Sequence, residues 1–265
     1  MNLDPQDILA VNQEAWDRVA DAGDRYYRAM TPEQVQAARD DGQWRIRITP
    51  CKPVPRPWLE PLAGKEVLLL AGGGGQQSPI LAARGAKVTV FDLSEKQLKR
   101  DIEIADREGF QIETVSGDMA ALTMFQDKQF DLVINPCSVC YVPDVAPIWQ
   151  EVYRVLKLGG HFMTGVINPV HYIFDAVEMD RGNLLVRHQI PYSDADLGDR
   201  ESEIIGDERP REFGHPISDL IGAQLEAGFQ MVGFYEDGWG GADKLSEHIA
   251  TFFATRCLKP AHSDH

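Results

Sequence analysis

Cysteine is scarce in this chain, with four among its 265 residues. Four cysteines are too few for a disulfide scaffold, and the chain is long enough to fold around an ordinary apolar core. Cys137 and Cys140 do have C-x-x-C spacing. A zinc site would need a second pair of ligands, and no matching C-x-x-C or H-x3-H pattern occurs in the sequence. We therefore expect ordinary thiols in a loop, and no metal site.

Long apolar runs and clusters of positive charge are also missing. No apolar stretch approaches the ~20 residues that span a bilayer, and the opening residues MNLDPQDILA lack the basic-then-apolar pattern of a signal peptide. These features predict a cytoplasmic protein without a membrane partner. The 26 Lys and Arg residues are outnumbered by 41 Asp and Glu residues, giving a net charge of −15. Because an acidic chain repels phosphate backbones, we expect no nucleic-acid partner.

The first 63 residues read as a helical cap followed by a connector. Asp4-Pro5 offers an N-cap and a first helical position, and Thr31-Pro32-Glu33-Gln34 has the pattern of a capping box. The second helix is expected to stop near Gly42. Four prolines within residues 49–58 predict an extended connector. Residues 64–265 then form the main domain.

Strands and helices alternate regularly from residue 64 onwards. Apolar runs predict parallel strands at residues 66–71, 87–92, 111–118, 130–136 and 161–168. Helices are predicted at 78–85 with Ser78 as N-cap, at 94–109 with Ser94 and Gln97 as a capping box, at 145–160 and at 217–228. This alternation indicates an α/β fold with a doubly wound, mostly parallel sheet. The last two strands, 229–238 and 248–259, have no helix between them, so the seventh and last strand is expected to be antiparallel.

Residues 169–214 form an insertion after the fifth strand that is too long for a passive connector. Residues 183–194 alternate like a strand, and REFGHP at 211–216 could pair with them. We expect a lid that closes over the substrate together with Trp16 and the Tyr26-Tyr27 region. Ordinary helix packing is the alternative interpretation of Trp16.

Four consecutive glycines, Gly72 to Gly75, follow the first strand of the alternating region. Glycine lets another group approach the backbone closely, and the following helix N-terminus favours anions. Asp92 and Asp118 end the second and third strands, where carboxylates could accept hydrogen bonds from a ribose. Strand ends of an open sheet converge on one ligand site, so a nucleoside-type ligand is indicated. NAD and S-adenosylmethionine (SAM) both use this geometry. The alternative interpretation is that the glycines only form a tight strand-to-helix turn, without a ligand.

The segments FDLVINPCSVCYVPD and EVYRVLKLGG resemble class I SAM-dependent methyltransferases. They are most similar to the branch that includes ubiquinone- and menaquinone-biosynthesis enzymes and other small-molecule methyltransferases. The resemblance covers roughly residues 64–168 and the two-strand ending. It implies a Rossmann-like fold, SAM as cofactor, S-adenosylhomocysteine as product and a small-molecule acceptor.

Transferred position by position, the resemblance implies a set of cofactor contacts. The glycine loop of the family falls on Ala71, Gly73 and Gly75, against the methionine part of SAM. Asp92 matches the acidic residue on the ribose, Leu93 flanks the adenine, and Asp118 and Met119 lie beside the adenine ring. The remaining expected cofactor residues are Gly72, Gln76, Gln77, Gln97, Gly117, Asn135, Pro136 and Cys137. The family usually has an acidic residue in the first strand where this chain has Leu69, and glycine where it has Ala71. Gln76 and Gln77 could supply replacement hydrogen bonds, or could be solvated.

Catalytic candidates come from the loops after the fourth and fifth strands. Tyr141 follows the fourth strand, and His171 lies three residues past the fifth, where an imidazole could position or deprotonate a nucleophile near neutral pH. A structural role for His171 is the competing interpretation. Three further functions stay open at this point: a nucleic-acid or protein methyltransferase, a SAM-binding protein without transferase activity, and an NAD-dependent oxidoreductase. The sequence gives no oligomeric state.

Overall fold

The computed structural model describes residues 5–22, 28–40, 44–198, 201, 202, 206 and 208–261. Its strands, numbered in chain order, are β1 (Glu66–Leu70), β2 (Lys87–Asp92), β3 (Ile112–Ser116), β4 (Phe130–Asn135), β5 (Leu156–Ile167), β6 (Tyr192–Ser193), β7 (Phe213–Gly214), β8 (Gln230–Asp237) and β9 (Phe252–Leu258). Seven of them form one sheet in the order β3-β2-β1-β4-β5-β9-β8. The strands from β3 to β5 pair in parallel, while β9 runs antiparallel to both of its neighbours. The predicted doubly wound sheet with an antiparallel last strand is confirmed.

The helices lie on both faces of this sheet and at one end of it. They are α1 (Pro5–Ala22), α2 (Pro32–Arg39), α3 (Arg56–Leu59), α4 (Ser78–Ala83), α5 (Glu95–Glu108), α6 (Ala146–Val155), α7 (Ala176–Asp180) and α8 (Ala223–Glu226). The strand order reverses between β1 and β4, so the carboxyl ends of these two strands flank the crevice where open α/β sheets bind ligands. Among the described residues, no helix is both long and apolar enough to cross a bilayer.

Two apolar layers cover the sheet. One contains Trp149 of α6 with Phe162 of β5, and the other contains Leu81 of α4 with Ile46 and Ile48 from the segment before β1. Leu68, Leu69 and Leu70 of β1 are fully buried between these layers. This burial explains the uninterrupted apolar run of β1, because a central parallel strand is covered on both sides.

Helix α6 and strand β5 differ from the sequence prediction. The helix was expected to continue to Gly159-Gly160, but it ends at Val155 and β5 begins at Leu156. Lys259 explains the early end, since its ammonium group donates hydrogen bonds to the carbonyl oxygens of Tyr153 at 2.5 Å and Leu156 at 2.8 Å. These bonds satisfy carbonyl groups that the end of a helix leaves unpaired. Leu156 is then free to pair with Phe130 of β4.

Two smaller expectations about element ends were wrong. Gln77, not Ser78, is the N-cap of α4, and the Ser78 hydroxyl donates instead to the carboxylate of Asp101. The proline-rich connector is not extended throughout, because its end forms the short helix α3. The capping box of α2, between Thr31 and Gln34, is confirmed. The predicted stop near Gly42 lies outside the described residues.

The insertion after β5 contains the expected strand pair. β6 and β7 are antiparallel, with Tyr192 opposite Gly214 and Ser193 opposite Phe213. A helical turn, Pro169–Ile173, and α7 precede them. The Tyr26-Tyr27 region, predicted to join the lid, lies outside the described residues.

Candidate active site

A cavity of about 290 Å³ lies at the carboxyl ends of β1, β2, β3 and β4. Its wall combines the glycine loop, the ends of β2 and β3, the loop after β4 and one face of α1. The lining residues are Ile8, Leu9, Asn12, Trp16, Ala71, Gly72, Gly73, Gln76, Gln77, Phe91, Asp92, Leu93, Gln97, Gly117, Asp118, Met119, Ala120, Pro136, Cys137, Ser138, Tyr141, Val142, Pro143 and Asp144. Most of this surface is apolar, with acidic side chains from three strand ends or loops.

The glycine loop has a backbone that favours residues without a Cβ atom. Gly74 and Gly75 have φ values of 111° and 69°, in the left-handed region. Ala71, where the family has glycine, also has a positive φ of 50°. The loop is held from α5, because the carboxylate of Asp101 accepts hydrogen bonds from the amides of Gly74 at 2.8 Å and Gly75 at 3.1 Å.

Asp92 joins the glycine loop to the start of α5. One carboxylate oxygen accepts a hydrogen bond from the amide of Gly73 at 2.8 Å, and the other accepts one from the amide of Ser94 at 2.9 Å. Burial raises the pKa of Asp92, and these backbone hydrogen bonds oppose the shift. A cationic or hydroxyl-bearing ligand beside this carboxylate would stabilise its charged form.

Gln97 does not form the predicted capping box of α5. The Ser94 hydroxyl accepts from the Gln97 amide at 3.2 Å, but the Ser94 amide is already bonded to Asp92. The side-chain oxygen of Gln97 is therefore left buried, without a hydrogen-bond partner in the described part of the chain. Gln97 lines the cavity, so a ligand there could supply the missing donor.

Gln77 presents a second oxygen of this kind. Its amide nitrogen donates to the carbonyl oxygen of Arg47 at 2.6 Å, while its side-chain oxygen is buried and has no partner among the residues described. Buried acceptors without donors are uncommon in folded proteins, since each costs about 1–3 kcal/mol. Two of them on one cavity wall indicate a ligand with hydrogen-bond donors.

The end of β3 forms the opposite wall. Asp118 accepts a hydrogen bond from the amide of Ala120 at 2.9 Å through one carboxylate oxygen. Gly117 lies against the ring of Phe91, where an added Cβ atom would come within 2.7 Å of the ring carbon Cζ. Met119 is buried beside it. Gly117 and Met119 both line the cavity on this side.

Helix α1 forms the roof of the cavity. Ile8, Leu9, Asn12 and Trp16 lie on the helix face that lines it. The ring of Trp16 meets the ring of Tyr141 edge-on, with centroids 5.1 Å apart. Trp16 therefore packs against Tyr141 and also contributes to the cavity wall. Helix packing and a position over the ligand, the two interpretations of this residue, are compatible.

Asn12 ties the roof to two distant segments. Its amide nitrogen donates to the carbonyl oxygens of Tyr141 at 2.8 Å and Arg211 at 3.3 Å, and its oxygen accepts from the Arg211 amide at 2.7 Å. The side chain is buried, with 2% of its surface exposed. We call this set of three hydrogen bonds the Asn12 clasp, because it joins α1, the loop after β4 and the insertion.

Comparison with known proteins identifies the family. Residues 68–164 match the methyltransferase domain family. The uncharacterized methyltransferase YbaJ of Bacillus subtilis is 44% identical over 254 residues, which cover 95% of this chain and 98% of that protein. The chain belongs to the class I SAM-dependent methyltransferases. SAM, and not NAD, is therefore its cofactor.

More distant relatives agree with this family. A ubiquinone biosynthesis O-methyltransferase of Pseudomonas putida is 32% identical over 165 residues, 61% of this chain and 68% of that protein. The crystal structure of a SAM-dependent methyltransferase from Mesorhizobium loti superposes with a TM-score of 0.57 at 20% identity, covering 76% of this chain and 94% of that one. The latter likeness supports the methyltransferase fold alone.

The structure brings most of the predicted site residues of this methyltransferase to one cavity. The exceptions among the expected cofactor residues are Gly75 and Asn135. Gly75 is turned towards the protein, where an added Cβ atom would lie 2.4 Å from Cδ1 of Ile104. Asn135 is fully buried and bonded to the Leu70 carbonyl at 2.9 Å and the Thr164 hydroxyl at 2.9 Å. Both residues shape the loops around the cavity without lining it.

His171 is also not among the lining residues, whereas Tyr141 is. Burial lowers the pKa of His171, and nearby Asp243 opposes the shift. His171 lies on the helical turn that begins at Pro169, and its ring meets the ring of Tyr172 edge-on, with centroids 5.2 Å apart. The predicted role of His171 in positioning or deprotonating the acceptor stays a prediction.

Several residues of the site were missed by sequence reasoning. Asn12, Ile8 and Leu9 carry no local signal, because their position over the cavity depends on how α1 packs. Asp101 did carry one: it lies three residues after Leu98 and four before Ala105, on the buried stripe of α5. An acidic residue on that stripe indicates a specific partner.

The thiols show no sign of a metal centre. All four cysteines are free. In the described ranges, no group of three or more His, Cys, Asp or Glu side chains is arranged to hold a metal ion. Burial, followed by the neighbouring thiol of Cys137, raises the pKa of Cys140, which favours its neutral form.

Proposed function

We propose that this methyltransferase binds SAM in the cavity beneath α1 and transfers its methyl group to a small molecule. The observation that carries the proposal is the mostly apolar cavity of about 290 Å³, which Ile8, Leu9 and Trp16 of α1 line on one side. Ligand cavities of this type bury most of a small ligand behind a few polar groups.

The residues of the cavity fit SAM. The unpartnered oxygens of Gln77 and Gln97 are acceptors, and SAM carries an ammonium group and ribose hydroxyls as donors. In our proposal these two oxygens replace the acidic residue that the family has at Leu69. When bound, SAM supplies an activated methyl group on a positively charged sulfur. The acidic side chains Asp92 and Asp118 favour a cationic ligand in this cavity.

Individual contacts follow from the shape of the wall. We infer that Asp92 accepts hydrogen bonds from the ribose hydroxyls, while Leu93 and Met119 hold the adenine ring. The free carboxylate oxygen of Asp118 would accept a hydrogen bond from the adenine amino group. Glycines at 72 and 73 keep the loop thin, so that a ligand lies against the backbone.

The loop after β4 would face the acceptor. Cys137 and Tyr141 line the cavity there, and the Tyr141 side chain contacts the thiol of Cys140. Alignment of the acceptor with the methyl group is the main task of such a site, worth up to about 7–11 kcal/mol in favourable cases. We propose that Tyr141 orients the acceptor and excludes water. His171 has no part in this proposal, because it does not reach the cavity.

The small-molecule assignment has further support. Relatives named for small acceptors include the ubiquinone biosynthesis O-methyltransferase, a botryococcene C-methyltransferase and a squalene methyltransferase. These names differ in the atom that is methylated, so the acceptor atom of this chain is left open. A net charge of −15 disfavours nucleic acid. Four free cysteines suit the reducing cytoplasm, where we propose that the protein works.

The acceptor class can be tested by turnover. Purified protein and SAM are incubated separately with phenols, quinols, amines, thiols and sterol-like alkenes, and with RNA and mixed peptides. Release of S-adenosylhomocysteine is measured. We expect turnover with a small molecule alone. Turnover confined to RNA or peptides would overturn the small-molecule assignment, and SAM binding without turnover on any acceptor would favour a binding protein.

The cofactor position can be tested at Gln97. Gln97→Leu removes the unpartnered oxygen, and we expect SAM affinity to fall about tenfold, the value of one good hydrogen bond. Gln111→Leu is the matched control, because Gln111 is exposed and lies outside the cavity. Calorimetric titration measures both variants. Equal affinities in the two variants would show that SAM does not contact Gln97.

A further inference from the structure

The buried carboxylate of Asp101 lies behind the glycine loop and accepts several hydrogen bonds. It accepts hydrogen bonds from the amides of Gly74 and Gly75 and from the hydroxyl of Ser78. The side chain is fully buried. Removing a charge from water is expensive unless several donors satisfy it, as these three do. Asp101 does not line the cavity, so it acts on a ligand through the loop that it holds.

The glycine loop needs hydrogen-bond acceptors on the side that faces α5. Its other face lies on the apolar side chain of Leu69, which would be 2.6 Å from a Cβ atom added to Gly72. Leu69 has no acceptor for the loop amides. Gly74 and Gly75 have left-handed backbone conformations, which glycine adopts without strain but gives up much conformational freedom to hold, so hydrogen bonds are needed to fix them. Asp101 supplies those bonds from α5.

We propose that Asp101 is a positioning residue, which fixes the glycine loop in the conformation that binds the cofactor. The proposal rests on the proposed function, since it takes the cavity as the SAM site. In this chain an acidic side chain on helix α5 bonds to the glycine loop, whereas the first strand offers the loop only the apolar side chain of Leu69. The amides of Gly74 and Gly75 donate to Asp101, and the Gly74 amide also lies 3.2 Å from the carbonyl oxygen of Gln97, while Gly72 and Gly73 line the cavity.

The arrangement makes cofactor binding sensitive to pH. Burial raises the pKa of Asp101 to about 6, and the nearby carboxylate of Asp92 adds to the shift. A protonated Asp101 has one acceptor oxygen fewer for its three donors. Among the described residues, Asp92 is the charged group that shifts this pKa; α4 contributes the Ser78 hydroxyl, and Arg100 of α5 donates to the Ala20 carbonyl of α1. Affinity should therefore fall as the pH drops through about 6.

The first experiment measures S-adenosylhomocysteine affinity by calorimetry between about pH 5 and pH 8. Wild-type protein should bind with constant affinity at the alkaline end and progressively more weakly below about pH 6.5. Asp101→Asn offers an amide nitrogen where an acceptor is needed, so affinity at pH 8 should fall about tenfold or more, with a flatter pH profile. Glu103→Gln, an exposed carboxylate on the same helix, is the matched control and should behave as wild type.

The outcomes separate the two proposals. Wild-type protein that binds no S-adenosylhomocysteine at any pH contradicts the proposed SAM site. Wild-type binding together with an Asp101→Asn variant of equal affinity and equal pH profile overturns the positioning role. A purely structural role would lower the unfolding temperature of the variant while leaving its affinity and pH profile unchanged.

A second measurement avoids the risk that Asp101→Asn fails to fold. The backbone amide resonances of Gly73, Gly74 and Gly75 are followed by NMR during a pH titration of unliganded wild-type protein. Gly73 donates to Asp92, whereas Gly74 and Gly75 donate to Asp101, so the three amides distinguish the two carboxylates. We expect Gly74 and Gly75 to titrate together with a midpoint near pH 6. Flat profiles for both amides would exclude the proposal.

Discussion

Ala71 is a non-glycine residue in a glycine conformation. Its φ is 50°, and its amide donates to the carbonyl of Phe91 at 2.7 Å, which fixes it there. An L-residue in the left-handed region costs roughly 1–2 kcal/mol, part of which glycine recovers. Ala71→Gly should therefore raise the free energy of unfolding by up to about 1 kcal/mol, or the unfolding temperature by roughly 2–4 °C.

Lys128 provides the matched test of this backbone argument. Its φ is 57°, and it lies far from the cavity in the turn before β4. Lys128→Gly should stabilise the protein by a similar amount, because the strain belongs to the backbone and not to the cavity. Chemical denaturation of both variants measures the effect. Stabilisation at Lys128 together with destabilisation at Ala71 would contradict the argument for the glycine loop.

Single residues also mark where sequence reasoning stops. The positions of Asp92 and Asp118 were predictable, because both end apolar strands and parallel strands share one ligand edge. The unpartnered side-chain oxygen of Gln97 was not, because the Ser94 amide could bond either to Gln97, in a capping box, or to Asp92 two residues before it, and both patterns are local. His171 was assigned from its distance past a strand, and it lies in a helical turn outside the cavity lining, which the distance alone did not indicate.

At the scale of elements, local patterns were sufficient where an element is stabilised by its own sequence. β2 was predicted at its observed bounds, and α5 at its Ser94 and Gly109 caps. The α6–β5 boundary depends on Lys259, more than 100 residues further along the chain, so no local pattern contains it. The position of α1 also depends on contacts distant in the sequence, with α5, residue 141 and residue 211, so it could not be predicted from a local pattern.

Helix α1 is held over the cavity mainly by polar contacts. Besides the Asn12 clasp, Gln13 donates to the Leu93 carbonyl at 3.1 Å and Ser94 donates to Asp17 at 2.5 Å. Asn12→Ala removes three hydrogen bonds at once, and we expect the dissociation rate of S-adenosylhomocysteine to rise about tenfold or more. Stopped-flow displacement measures this rate.

The control for this variant lies on the same helix. Glu14 is exposed and forms a surface ion pair with Arg18 at 3.7 Å, a contact worth about 0–1 kcal/mol. Glu14→Ala should leave the dissociation rate unchanged. If Asn12→Ala and Glu14→Ala dissociate at the same rate, α1 is not the barrier to cofactor exit.

For the whole molecule, buried titratable groups set how stability depends on pH. Burial raises the pKa of Glu212 to about 7 and that of Asp101 to about 6. The folded protein therefore takes up protons as the pH falls from 8 to 6, while the same carboxyl groups in the unfolded chain do not. Since the state that binds more protons gains stability as the pH falls, the folded state is stabilised over this window.

Buried histidines lower the stability of the folded state as the pH falls further. Burial lowers the pKa of His161 to about 4, and burial also lowers the pKa values of His171 and His215. The unfolded chain then binds protons below about pH 6.5, and the folded state loses stability. We expect a maximum of the unfolding temperature near pH 6, measured by calorimetry at constant ionic strength.

The variant Glu212→Gln separates the contribution of the buried carboxyl groups to the pH dependence of stability from that of the histidines. Glu212 accepts a hydrogen bond from the Tyr172 hydroxyl at 2.9 Å, which the glutamine oxygen can also accept. The variant should therefore fold and lose most of the rise between pH 8 and pH 6.5. A wild-type unfolding temperature that falls steadily from pH 8 to pH 6 would contradict the assignment of the buried carboxyl groups.

The roof formed by α1 has a consequence for turnover. In our proposal spent cofactor leaves after the Asn12 clasp breaks, so methyl transfer and departure are separate events with separate rates. Where opening of α1 is the slower event, the first turnover is fast and each later one waits for the helix to move. A burst of product equal to the enzyme concentration then precedes the steady state, and kcat reports the motion of a helix and not the breaking of a carbon–sulfur bond.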